Sequence, residues 1–114
     1  MSTMIILSLL LNIAVLIPVC AGIMTNASWA QQSYGEATPA RGILLSIYLS
    51  IIAVSALLLV VSRTEAAAAL LLVQIVYKVT TPFTVRSIKN PVVISNLFIA
   101  AFHIATIILV WRSL

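Results

Sequence analysis

His103 is the only histidine in this chain, Cys20 the only cysteine, and Lys78 a lysine standing inside an otherwise apolar stretch. A histidine can move protons, ligate a metal or hold a haem or pigment, but each task needs companions. Proton relays place Asp or Glu beside it, and the only two side-chain carboxylates, Glu36 and Glu65, lie outside the apolar runs. No Ser/His/Asp arrangement and no second histidine for a bis-histidine haem site exists. A lone cysteine excludes an internal disulfide and a Cys-x-x-Cys redox site, and reads as a buried, inert thiol. There is no Gly-rich phosphate loop and no metal-ligand cluster. These absences point away from an enzyme. His103 is left either as a hydrogen-bonding residue or as an axial ligand for a pigment or haem shared with another chain. Lys78 is left either as a residue that snorkels to phosphate or Glu36, or as the lining of a cavity for an anion or lipid headgroup.

The other polar residues in apolar surroundings fall at helical spacing. Gln74, Tyr77, Lys78 and Thr81 follow an i, i+3, i+4, i+7 pattern and form one stripe. Ser95, Asn96, His103 and Thr106 fall within an arc of about 100° on a helix of 3.6 residues per turn. Ser8 pairs with Asn12 on one face, Ser46 with Ser50 on another, and Tyr48 with Ser55 on a third. Hydrocarbon cannot hydrogen-bond these groups, so the stripes are expected to turn inward. At about 1.5 Å rise per residue, Asn12, Gln74 and His103 land near the middle of a roughly 30 Å core. Mutual hydrogen bonds among those three are therefore expected. Lys78, Asn96 and Ser46 form a second layer roughly 6–9 Å from one surface.

Composition sets the frame that must hold these residues. Of 114 residues, 63% are hydrophobic and 7% charged, against about 25% charged in a soluble domain. Four stretches approach the roughly 20 residues that cross a bilayer. The first, Met4 to Met24, carries no charge and lacks the basic leader of a signal peptide. The second follows Thr38-Pro39, a cap and a first-turn proline, and runs to Val61. The third follows Ser62-Arg63-Thr64-Glu65, a capping-box pattern, and is expected to stop or kink at Pro82, near Thr81. The fourth follows Asn90-Pro91 and ends near Trp111 and Arg112. Residues 25–37 read as a polar loop in which Trp29 and Tyr34 anchor the headgroup level, as Trp111 and Arg112 do at the other end. Asn26-Ala27-Ser28 matches a glycosylation sequon by chance, a residue or two from the span end. Lys and Arg nearly balance between the two sides, which leaves the orientation open. The net charge of +4 is scattered over span ends. It suits anionic lipid headgroups and makes no nucleic-acid patch.

The expected fold is therefore all-α: a polytopic membrane protein, one antiparallel four-transmembrane-helix bundle with spans near 4–24, 39–61, 63–81 and 91–112. Length and span count are similar to those of the small multidrug resistance transporters, but the glutamate of their first span is absent, with Asn12 the polar residue there. Ser33-Tyr34-Gly35 and Pro39-Ala40-Arg41-Gly42 resemble the Tyr-Gly step and following helix start of DoxX-like small bacterial membrane proteins. That resemblance covers about a quarter of the chain and implies a four-helix bundle in a bacterial inner membrane, with little about activity. The functional expectation is an accessory subunit of a larger membrane complex or a homo-oligomer. Small residues (Ala53 with Ser46 and Ser50, and Ala66 to Ala69) would admit close helix contact. The alternative is a small carrier or anion- and lipid-binding protein built on Lys78, Tyr77, Gln74, Asn96 and His103. A pigment- or haem-holding subunit through His103 is a third reading.

Overall fold

The structure is a computed structural model describing residues 1–114, and it is all-helical. In chain order the elements are α1 (Thr3–Met24), α2 (Ser28–Tyr34), α3 (Pro39–Val61), α4 (Thr64–Thr84) and α5 (Pro91–Val110), followed by a 3-10 turn, Trp111–Ser113. Four of these helices are long and apolar enough to cross a membrane. The chain divides into two compact units, Leu9–Val61, and Met1–Ser8 with Ser62–Leu114.

In the Leu9–Val61 unit, α1 stops because Asn26 adopts a left-handed conformation (φ 56°). The Asn26 amide donates to Ile23 O (3.2 Å) and the Ala27 amide to Gly22 O (2.9 Å). That pair of bonds closes the last carbonyls of the helix, and asparagine is the usual substitute for glycine at such a turn. The chain then enters α2 at once, so part of the expected polar loop is a two-turn helix. Its position is set by a close approach: a Cβ on Gly22 would overlap the Trp29 indole. At its far end, Tyr34 meets Tyr48 of α3 edge to face, with ring centroids 6.0 Å apart. Gly35 (φ 88°) ends α2. Thr38 starts α3, its hydroxyl accepting from the Arg41 amide at 3.3 Å. Further along, Asn12 of α1 pairs with Ser55 of α3, while Ile23 and Leu45 wall one groove. The sequence numbers run in opposite directions, so α1 and α3 are antiparallel.

The second unit begins at the two-residue link Ser62–Arg63. Ser62 is left-handed (φ 58°), and Arg63, which caps α4, makes no side-chain cap bond. The expected reciprocal Ser62–Glu65 capping box is not formed, because a serine turned into that conformation ends α3 instead of opening α4. Helices α4 and α5 are antiparallel: Ala68 and Leu71 pack with Ile107, and Lys78 meets Asn96. Helix α4 does not stop at Pro82: it runs through the proline to Thr84. A proline at this position has no hydrogen to offer the carbonyl four residues back, which is that of Lys78. Thr81 Oγ1 donates to that carbonyl instead, at 2.6 Å. The substitute bond lets the helix pass the proline. At the start of α5, Asn90 Oδ1 accepts from the Val92 amide at 2.9 Å.

Gly22→Ala tests the α1–α2 interlock. Overpacking of this kind costs about 1–3 kcal/mol. In a Trp111→Phe background the Trp29 emission should shift to the red, and detergent-solubilised protein should unfold at lower temperature. Unchanged emission and stability would mean that α2 does not rest on Gly22.

Candidate functional site

Lys78 sits on α4 with 3% of its surface exposed. Its ammonium does not snorkel outward. It donates to Asn96 Oδ1 of α5 at 3.1 Å and lies 4.9 Å from the centre of the Tyr77 ring. Both contacts favour a cation: an amide oxygen accepts from it, and the ring face attracts it. The only acid of α4 is Glu65, in the first turn, and α5 has none. Asn96 in turn donates through Nδ2 to Thr81 Oγ1, at 3.5 Å. A donor on the Oδ1 side, Lys78, and an acceptor on the Nδ2 side, Thr81 Oγ1, fix its amide orientation. A closed circuit results, from the Lys78 carbonyl through Thr81 and Asn96 back to the Lys78 ammonium. The missing hydrogen of Pro82 creates the acceptor where it starts.

His103 on α5 has no exposed surface. Its network can be read from hydrogen counts. Thr106 Oγ1 donates to the Phe102 carbonyl at 3.1 Å. A hydroxyl has one hydrogen, so Thr106 Oγ1 accepts from Ser8 Oγ, 2.7 Å away. Ser8 then accepts from His103 Nδ1, at 3.2 Å. The neutral ring therefore carries its proton on Nδ1, and Nε2 is its acceptor nitrogen. Gln74 is also buried, one turn before Lys78 on α4.

Of the residues singled out in the sequence, Tyr77, Lys78, Asn96 and Thr81 come together, and His103 joins Thr106 and Ser8. Asn12 is buried, and belongs to the Leu9–Val61 unit, where its Nδ2 donates to Ser55 Oγ at 3.2 Å. The inward expectation fails for Ser46, Ser50 and Ser95, which are all exposed. A serine needs no partner helix: Ser50 Oγ donates to the Ser46 carbonyl of its own helix at 2.8 Å. Among the anchors, Trp29, Trp111 and Arg112 are exposed and Tyr34 is half-buried. In the sequence Arg41 is legible as a charge near a span end, within the Pro39-Ala40-Arg41-Gly42 stretch, and not as a buried residue. The structure buries it to 6% exposure, with Nη1 donating to Gly35 O (2.9 Å) and Nη2 to Asn26 Oδ1 (2.8 Å). Its asparagine partner is fifteen residues away, and no local pattern announces it.

Two measurements check these contacts. Asn96→Ala should destabilise the protein by about 1–3 kcal/mol, since a buried ammonium loses its acceptor. With Lys78→Met already in place, the same change should cost much less, a coupling of about 0.5–3 kcal/mol in a double-variant cycle of detergent unfolding. Additive effects would contradict the Lys78–Asn96 bond. In ¹⁵N-histidine spectra at neutral pH, His103 should show its proton on Nδ1, and Ser8→Ala should weaken that preference. A ring protonated on Nε2 alone would contradict the donor order.

No protein-family model, no curated protein and no solved structure matches this chain.

Proposed function

We propose that this multi-pass membrane protein acts without catalytic chemistry of its own, as a packing subunit of a larger membrane complex or as a homo-oligomer. A bacterial inner membrane and an antiparallel four-helix bundle belong to the same reading, in keeping with the DoxX-like motifs around Tyr34-Gly35 and Pro39–Gly42. The observation that carries it is the face of α3. Gly42, Ser46, Ser50 and Ala53 recur at helical spacing, and none of them is buried. Small residues on one face let a second helix approach closely, which is how helices associate where lipid and side chain are equally apolar. The buried polar groups support the same reading. Ser8, Thr106 and His103 bond one another, as do Asn12 and Ser55. These are neutral contacts that fasten helices, and they include no acid–base pair for coupled transport or hydrolysis. The enclosure of the His103 ring favours hydrogen bonding over axial ligation of a pigment or haem.

Mild detergent extraction followed by mass determination tests the proposal. The wild-type chain should travel in a species larger than its monomer. A Ser46→Leu/Ser50→Leu variant, which fills the α3 face, should shift at least about tenfold toward monomer, about 1.4 kcal/mol. A wild-type chain that travels alone as a monomer would overturn it.

One observation favours a second reading, a small anion carrier. The Lys78 ammonium is buried between a neutral amide and a ring, with no acidic residue on α5 and only Glu65 on α4. Anion flux into liposomes, lost in Lys78→Ala, would support it. Equal flux in both, or none in either, would remove it.

A further inference from the structure

We propose that the groove where α1 ends and α3 begins is a binding site for one anionic phospholipid, with the headgroup phosphate on Arg41. The groove has a volume of about 400 Å³ and is walled by Ile23, Met24, Thr38, Arg41, Gly42 and Leu45 among others. Its two ends differ in chemistry. Thr38 precedes α3 and Arg41 stands in its first turn, with the guanidinium reaching back to Gly35 and Asn26. Leu45 lies more than a turn inside α3, within its apolar span, and Ile23, beside the last residue of α1, adds a second apolar wall. The polar end falls at the helix termini, the level of lipid headgroups if these helices cross a bilayer.

The guanidinium is what makes the groove selective. Arg41 is nine-tenths buried, yet its head donates to two neutral oxygens, Gly35 O and Asn26 Oδ1. A guanidinium has five N–H donors in a fixed fork that matches a phosphate, so donors and the whole charge remain for a ligand. The two bonds it does make hold it in place, so little side-chain freedom is lost on binding. Glu36, the nearest acid in sequence, is exposed and does not line the groove. The positive end of the α3 dipole faces the same way and adds to the field. A free phosphate would satisfy Arg41 as well. The apolar wall favours a phosphate that carries acyl chains, and the occupant assigned here is therefore the lipid. Lipid binding in this groove requires no partner on α3.

The test uses the full chain in vesicles of equal parts phosphatidylglycerol and phosphatidylcholine, extracted in mild detergent, with co-purifying lipid identified by mass spectrometry. Wild type should retain phosphatidylglycerol over phosphatidylcholine by about fivefold, the selectivity one basic residue gives at a membrane surface. Arg41→Gln should abolish the preference. Because Arg41 also ties down the turn before α3, a second variant leaves it intact. A Cβ added at Gly42 would meet nothing within 4 Å. Gly42→Leu therefore starts its side chain in open space on the groove wall, and should lose the retained lipid while its circular dichroism stays that of wild type. Retention by a folded Gly42→Leu protein, or by Arg41→Gln, overturns the site. Displacement of the lipid by millimolar inorganic phosphate would identify a free-anion site and overturn the lipid assignment.

Discussion

Hydrocarbon offers nothing to hydrogen-bond with, and the polar groups inside the spans of this chain are disposed accordingly. The Ser50 hydroxyl reaches its own helix, donating to the Ser46 carbonyl, and is left facing outward. Side chains too long or too rigid for that solution turn inward and join another helix: Asn12 to Ser55, His103 to Ser8, Lys78 to Asn96. Each unsatisfied group at such depth would cost several kcal/mol. The same demand extends to the backbone. Pro82 removes one donor, and the Thr81 hydroxyl replaces it before the helix goes on. Lys78 is the extreme case, a full charge held by one amide oxygen and the face of one ring.

At the helix ends the constraint relaxes, and geometry takes over. Asn26 serves twice there. Its left-handed backbone terminates α1, and its side-chain oxygen accepts from Arg41 at the start of α3. Gly22 and Trp29 interlock so closely that neither position is independent of the other. A polar stretch with little apolar surface of its own is thereby given a fixed place beside α1.

The long helices are readable from sequence because their signals are local. Apolar runs of bilayer length, the Thr38-Pro39 start and the Asn90-Pro91 start each sit within a few residues of what they determine. Helical spacing likewise brings Tyr77, Lys78 and Thr81 to one face and Asn96 with His103 and Thr106 to another. What spacing does not supply is the identity of partners far apart in sequence. It groups Ser8 with Asn12, but the Ser8 hydroxyl serves Thr106 and His103. It turns Ser46 and Ser50 inward, although a side chain short enough to bond its own backbone needs no inward face. Helix α2 leaves no periodic signature because seven residues are too few for one to stand out, and its stability comes from contacts with α1 and α3. Pro82 reads as a stop because the rescue by Thr81 depends on a rotamer, which a residue string does not display.

The ranges of these contacts also order the assembly of the chain in time. Asn26, Gly35 and Arg41 are all made before residue 42, and Asn12 finds Ser55 with a separation of 43 residues. The first helical hairpin can thus close its polar bonds while the rest is still on the ribosome. Ser8 is different. Its partners stand 95 and 98 residues further on, so the Ser8 hydroxyl meets them only once α5 is in place. The Ser8–Thr106–His103 chain is a clasp: its formation records that α5 has packed against Ser8.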